Sequence, residues 1–509
     1  MKFAKTYSIQ PNLSKTSIVS VEADIAKGMH SFNIVGLPDK AVEEAKDRVS
    51  SAIKNTGFTS PKQQNQKITI SLAPADLKKE GPIFDLGIAI SYLLSNEELE
   101  ANLDDSIFIG ELGLDGTLKP VSGAMVATMQ AKQKGFKNIF LPKQNENEAS
   151  LIKGINIFGA ETLAEIIEHL NGNKFIEKTK PFAFKNKNAK SEIDFGHIKG
   201  QSDAKRALTI AAAGGHNIAF WGPAGTGKTL LAKAIVGILP KMSEEEIIET
   251  TGIHSIAGLL KDTDILIERP WRNPHHTSSY VSIIGGGAIP KPGEATLSHK
   301  GVLFLDEFPE FDRRVIEALR EPLEDKVIRI SRARGSENFP ADFMLVVALN
   351  PCPCGNFGTP NRKCTCMPSA IEKYKRKISG PIADRIDLWS EVSTISYKEL
   401  GKDFEGELES PKIKKQIEKA RDLQRKRFGK AKLNSNISVK EINKITNLTE
   451  EAKLALEQGG AVHNLSGRSF HKIIKIARTI ADLEGVEKVS RDHILEALRF
   501  RPKKEIVGN

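Results

Sequence analysis

Gly222-Pro223-Ala224-Gly225-Thr226-Gly227-Lys228-Thr229 fills every fixed position of the pattern G-x-x-x-x-G-K-[ST]. No other stretch of the chain limits the fold as tightly. The segment Asn217–Trp221 before it is short and largely apolar and reads as a strand. Leu230–Leu239 after it has helical composition and stops before Pro240. Strand, glycine loop and helix are the setting in which this pattern closes backbone N–H groups on phosphate oxygens, backed by the positive end of the helix. Lys228 is expected to reach the β- and γ-phosphates of ATP, and Thr229 to ligate Mg2+. The expected nucleotide-binding set is Gly222, Pro223, Ala224, Gly225, Thr226, Gly227, Lys228 and Thr229.

Val302–Leu305 is a second apolar segment, and it ends in Asp306 and Glu307. At a strand end Asp306 would hold Mg2+, and Glu307 would orient and polarise an attacking water. Phosphoryl transfer leaves the protein little covalent work, so catalysis is positioning and charge stabilisation. Asn350 closes a third apolar run, Phe343–Leu349, and is of the right type to position that water. Arg385, within Ala383-Asp384-Arg385-Ile386-Asp387, and Arg468, at the start of a helical stretch, are candidate charge stabilisers. Isolated arginines also serve as surface ion pairs.

At 509 residues the chain has room for more than one domain. Hydrophobic content of 39% and charged content of 27% are those of a soluble globular protein. No apolar run has the length of a membrane span, and Met1–Lys5 lacks the apolar core of a secretory signal, so a cytoplasmic protein is expected. Residues 1–175 mix strands and helices: Lys67–Leu72 alternates like a strand, and Asp85–Leu94 reads as a buried helix. Residues 176–193, rich in Lys and Asn, have linker composition. Residues 194–396 alternate apolar strands with helical segments, the pattern of an α/β fold with a parallel sheet. Residues 397–509 read as helix. In Ser466–Leu483, Phe470, Ile473, Ile474, Ala477, Ile480 and Ala481 share one face, and Gly485 is a plausible stop.

The net charge of +10 is unevenly spread. Residues 411–432 hold ten basic side chains against Glu418 and Asp422. Such a run is either a solvated helix face or a contact for a polyanion. Val327–Gly335 alternates apolar and basic residues and ends in a turn signal, so it reads as a β-hairpin with Arg332 and Arg334 at its tip. A solvated hairpin and a functional one are both open on these residues.

The four cysteines, Cys352, Cys354, Cys364 and Cys366, form two C-x-C pairs within fifteen residues. Four thiolates are what tetrahedral Zn2+ requires, and Pro353, Gly355, Asn356 and Pro360 suit the turns between the pairs. A metal-free loop is the main alternative, and a disulfide needs an oxidising compartment. His275 and His276 have no acid or third His at ligand spacing, so a structural or pore-loop role is expected for them.

The order and spacing of the phosphate loop, Asp306–Glu307, Asn350 and the two arginines resemble an AAA+ ATPase. Arg269-Pro270-Trp271-Arg272-Asn273-Pro274-His275-His276-Thr277, Gly285-Gly286-Gly287 and Pro292-Gly293-Glu294 narrow the resemblance to the magnesium-chelatase-like branch, and within it to the ComM/YifB family, over about residues 5–502. The resemblance implies an AAA+ core with a C-terminal helical lid and a hexameric ring. In ComM proteins it implies a DNA helicase that drives branch migration while transformed DNA is integrated. Matched by position, Asn350 is sensor 1, Arg385 the arginine finger donated to a neighbour's ATP, and Arg468 sensor 2. In related ring helicases the hairpin enters the central pore, which makes Arg332 and Arg334 candidate DNA contacts. Residues 8–150 resemble the proteolytic domain of Lon, an α+β domain, on Glu80-Gly81-Pro82, Lys119–Gly123 and Gly135–Pro142. Ile83 and Phe84 stand where Lon needs its serine, and the dyad lysine falls at about Met125. A Ser–Lys dyad needs both partners, so a non-proteolytic domain is expected.

An ATP-driven DNA translocase is therefore the leading expectation. A chelatase-type motor that remodels a partner protein and a protein unfoldase are the alternatives. The chelatase reading lacks a metal-sensing partner domain in this chain, and the unfoldase reading lacks an aromatic pore loop. No membrane partner is expected.

Overall fold

The computed structural model describes residues 2–13, 15–184, 193–260, 265–287, 290–332, 335–359, 362–395, 408–429, 432–463 and 465–502. Its contacts divide the chain into two units, Met1–Asn186 with Ser243–Ile267, and Lys187–Met242 with Glu268–Asn509.

The first unit is built on a seven-stranded mixed sheet. Its spatial order is Ser31–Val35, Gln66–Ala73, Ser17–Lys27, Lys2–Gln10, Ser106–Phe108, Asn138–Pro142, Asn156–Ala160. Ser17–Lys27 pairs antiparallel with both its neighbours, and the remaining pairings are parallel. Along Gln66–Ala73, Ile68, Ile70 and Leu72 are fully buried and the residues between them are not, the two-residue period of a half-covered strand. The helix Asp85–Ser95 is buried nearly all round and so carries no polar face. Ile83 and Phe84 belong to this core, at 5% and 0% exposure, and Met125 is buried in the first turn of Ala124–Gln133. Two hydrocarbon side chains and a thioether at these positions supply neither the hydroxyl nor the amine of a Ser–Lys dyad. Arg48 holds the buried Asp85 through Nε–Oδ2 at 2.7 Å, yet burial pushes the Asp85 carboxyl up to about 6.

One helix of this unit comes from far along the chain. Glu244–Ile256 lies inside the expected ATPase segment 194–396 but packs in the first unit. Ser243 and Glu246 cap it reciprocally. Its Ser255 donates to the buried Glu148, which also accepts from Asn145 Nδ2 at 2.7 Å and from the Met125 amide at 3.3 Å. Three buried polar groups are thereby matched, which is what allows them to leave water.

The second unit centres on five parallel strands in the order Trp271–Arg272, Val302–Leu305, Met344–Leu349, Ile218–Trp221, Leu388–Glu391. Every residue of Val302–Leu305 and Met344–Leu349 is buried, as strands covered on both faces are. Because the strands run one way, their carboxyl ends share one edge, the place where open α/β sheets bind ligands. The glycine loop, Asp306 and Asn350 each follow one of these ends. Helices Glu409–Phe428, Val439–Ile445, Glu450–His463, Gly467–Glu484 and Arg491–Arg499 follow. Gly467–Glu484 starts at Ser466, whose Oγ accepts the Ser469 N–H, and stops at Gly485 with φ 75°. It buries Ile473, Ile474, Ala477, Ile480 and Ala481. Val327–Arg332 and Gly335–Pro340 pair as an antiparallel hairpin; Arg334 and the Arg332 side chain lie outside the described residues. No helix among the described residues is long and apolar enough to cross a membrane.

Candidate active site

The phosphate loop has its shape because glycine stands at three places. Gly222 runs so close to the end of Leu388–Glu391 that a Cβ would meet the Val392 carbonyl oxygen at 2.2 Å. Gly225 and Gly227 sit at φ +78° and +91°, which glycine adopts without strain, and nothing lies within 4 Å of a Cβ built on either. The space beside them is open to a ligand. The Ala224 amide does not face that space unattached: it donates to Gly355 O at 3.2 Å, from the cysteine-bearing loop. Motif spacing gave no sign of this contact.

Lys228 begins the helix Lys228–Ile238 and is 8% exposed. Its Nζ donates to Gly222 O at 2.8 Å, Pro223 O at 2.7 Å and Asn350 Oδ1 at 3.0 Å. Burial pushes the ammonium down to about 8 against the pull of Asp306 and Glu307. A buried cation whose hydrogen-bond partners are neutral oxygens is matched to anionic oxygens, so the residues fit a polyphosphate. Thr229 Oγ1 donates to Asp306 Oδ2 at 2.7 Å, and Asp306 Oδ1 accepts the Glu307 amide at 2.9 Å. Hydroxyl and carboxylate oxygens side by side are the hard donors that Mg2+ takes.

Glu307 stands at φ +50°, a strained value for a side-chain-bearing residue. Its carboxylate is 3.4 Å from His276 Nδ1. Sequence reasoning gave His276 only a structural or pore-loop role; the structure brings it to Glu307, while His275 Nδ1 turns to Thr277 Oγ1 at 2.8 Å. In the same motif, Arg272 Nε meets Glu294 Oε2 at 2.5 Å and its NH2 meets Oε1 at 2.8 Å, so two segments singled out in the sequence lock together.

The two arginines converge elsewhere. Arg385 donates to Arg320 O at 3.1 Å, to Pro381 O at 2.8 Å and to Glu324. Arg468 NH2 donates to the other oxygen of Glu324 at 2.6 Å. Among the described residues, no hydrogen bond or ion pair joins either arginine to Lys228, Thr229, Asp306 or Glu307. Asn217, also missed from sequence, ties the region together. Its Nδ2 donates to Arg385 O at 3.1 Å and its Oδ1 accepts the Leu345 amide at 2.9 Å.

The sulfurs of Cys352, Cys354, Cys364 and Cys366 all lie within 4.8 Å of one another, with Cys352–Cys354, Cys352–Cys364 and Cys354–Cys364 at 3.4, 3.7 and 3.6 Å. Sulfurs placed tetrahedrally around zinc at about 2.3 Å stand roughly 3.8 Å apart, so the cluster fits that ion. Backbone N–H groups of Asn356 and Thr365 hold the Cys354 thiol down, whereas burial and the neighbouring Cys354 and Cys352 sulfurs push Cys364 and Cys366 up, so the four thiols titrate as one set.

Comparison with known proteins agrees with this geometry. Residues 194–400 match the family described as magnesium chelatase, subunit ChlI; residues 21–145 match subunit ChlI of Mg-chelatase, and residues 407–501 the ChlI C-terminal family. Competence protein ComM of Haemophilus influenzae is 42% identical over 98% of both chains. YifB of Escherichia coli K12 is 42% identical over 95% of this chain and 94% of its own. Lon protease 2 of Bacillus subtilis is 26% identical over 34% of this chain and 33% of its own. The chain belongs to the ComM/YifB family of magnesium-chelatase-like AAA+ ATPases, with a Lon-protease-like domain at its N-terminal end.

Proposed function

We propose that the protein is an ATP-hydrolysing ring motor acting on DNA, a hexameric branch-migration helicase that supports homologous recombination in natural transformation. The observation that carries this reading is 42% identity along 98% of both chains to a competence protein. The Lon-like domain serves it as a non-proteolytic scaffold.

In this reading Lys228 grips the β- and γ-phosphates. Thr229 and Asp306 hold Mg2+, which supplies charge neutralisation at the phosphate oxygens. Asn350 and Glu307 orient water for in-line attack on the γ-phosphorus; the bond to the bridging oxygen breaks and ADP leaves. Arg385 and Arg468 stabilise the charge that develops on the transferred group. Their shared seat on Glu324, with no hydrogen bond or ion pair to Lys228 among the described residues, favours service to the ATP of a neighbouring copy. The four cysteines hold a structural Zn2+. Arg332 and Arg334 contact DNA phosphates in the pore, because contacts that carry no sequence information suit a motor that must move along any sequence.

ATP turnover with and without ligands tests the choice of substrate. Single-stranded or branched DNA is expected to raise turnover severalfold, and an unfolded protein to leave it unchanged. Stimulation by unfolded protein alone would favour a motor that remodels proteins.

A further inference from the structure

We propose that Glu324 is a positioning residue that holds Arg385 and Arg468 as one cationic pair for the triphosphate bound to a second copy of this chain. The proposal rests on the reading of both arginines as charge stabilisers acting between copies.

The two guanidiniums come from distant elements. Arg385 follows the short helix Gly380–Ala383, and Arg468 lies in the first turn of Gly467–Glu484. Like charges brought together repel unless an anion stands between them. Glu324, on Arg320–Asp325, divides its oxygens between them, Oε2 to Arg385 and Oε1 to Arg468 at 2.6 Å. The restraint is unequal. Arg385 also has the carbonyls of Arg320 and Pro381 and is 12% exposed as a side chain, whereas Arg468 is 45% exposed and has Glu324 as its one ion-pair partner among the described residues.

A second rung joins the same two segments. Lys472, one turn beyond Arg468, meets Asp387, two residues beyond Arg385, at 2.8 Å. Asp387 Oδ2 also accepts the Asn217 amide at 3.0 Å. The inner rung fixes the two backbones and leaves the guanidiniums to the outer one. The neighbouring carboxylates are committed elsewhere, since Glu321 and Asp325 both hold Arg329 at 2.7 Å. Neither of these two carboxylates on the same helix is therefore free to take the place of Glu324. A pair of cations held side by side at a half-exposed carboxylate matches the oxygens of a triphosphate from another copy.

Steady-state ATP turnover of Glu324→Ala tests this directly. Loss of alignment should lower kcat about tenfold or more, with KM and nucleotide Kd within about twofold of wild type. Glu324→Gln keeps the shape without the charge and should show a smaller loss in the same direction, and Glu321→Ala should be unaffected. Mixed with Glu307→Gln subunits, Glu324→Ala subunits should regain turnover, because their own ATP then meets an intact arginine pair. Turnover of Glu324→Ala and Glu324→Gln equal to or above wild type would overturn the proposal. So would a loss that mixing leaves unrepaired while Arg385→Ala is repaired in the same mixture. If Arg385→Ala also goes unrepaired in rings shown to be mixed, the between-copy reading itself is wrong, and the proposal falls with it.

Discussion

Thr229 Oγ1 donates a 2.7 Å hydrogen bond to Asp306 Oδ2, so the end of the phosphate loop and the end of Val302–Leu305 meet through two oxygen donors. Lys228 makes the parallel link to Asn350 at 3.0 Å. Four residues from three segments thus form one polar cluster at the carboxyl edge of the sheet. Lys228 of this cluster and Glu307, which follows Asp306, are expected to separate by step. Lys228→Ala should weaken ATP binding, because in the proposed mechanism the lysine faces phosphates already in the ground state. Glu307→Gln should bind ATP normally and lower turnover by about a hundredfold or more, because in the proposed mechanism its carboxylate acts on water on the way to the transition state. Equilibrium binding of a labelled nucleotide beside steady-state hydrolysis checks both; near wild-type hydrolysis by Glu307→Gln would remove it from the mechanism.

The buried ammonium of Lys228 makes nucleotide affinity depend on pH. Its value is pushed down to about 8 in the free site, and a bound triphosphate favours the charged form and raises it. Below about pH 7 the lysine is charged in both states and affinity is flat. Above pH 8 binding must take up a proton, so affinity should be roughly tenfold weaker at pH 9 than at pH 7 from this group. Titration calorimetry at pH 8.5 in two buffers of different ionisation enthalpy reads the proton uptake; no uptake would contradict the assignment.

What could be read from sequence was local. Gly222–Thr229, Val302–Glu307 and the face of Gly467–Glu484 declare themselves because loop, strand end and helix face each depend on residues a few positions apart. Contacts between distant residues stayed hidden. Glu324 lies 61 residues from Arg385 and 144 from Arg468, and nothing in its own segment distinguishes it from Glu321 or Asp325. The same holds for Gly355 against Ala224 and for Asn217 against Arg385 and Leu345. Glu244–Ile256 is recognisable as a helix from its Ser243–Glu246 cap, but a capping box says nothing about which sheet the helix covers.

The cysteine cluster predicts one zinc per chain, measured by elemental analysis of protein purified without a metal-affinity tag. It predicts more than metal content. Gly355, next to Cys354, holds the Ala224 amide of the phosphate loop. Chelation of the zinc, or Cys354→Ser, should cost about one backbone hydrogen bond at that loop and weaken nucleotide binding by roughly fivefold. Folded, zinc-free protein with full nucleotide affinity would contradict both the site and its link to the loop.

His275 and His276 are expected to behave differently despite their adjacency. His276 Nδ1 lies 3.4 Å from Glu307, whereas His275 Nδ1 meets Thr277 Oγ1 at 2.8 Å. His276→Ala should lower kcat about tenfold with nucleotide Kd unchanged, through loss of Glu307 alignment, and His275→Ala should stay within about twofold. Equal effects of the two substitutions on kcat would show that the contact to Glu307 has no part in turnover.

The central claim, an ATP-driven motor on DNA, is tested most directly by strand exchange on a synthetic four-way junction with labelled arms. The wild-type protein is expected to resolve the junction into its product duplexes only with ATP and Mg2+, and Lys228→Ala to leave it intact. Arg332→Ala with Arg334→Ala should abolish the exchange and flatten the fall of DNA affinity with salt, about −0.9 in log–log slope per phosphate neutralised on duplex DNA, while basal hydrolysis persists. A junction left unchanged by active, ATP-hydrolysing wild-type protein would contradict the account.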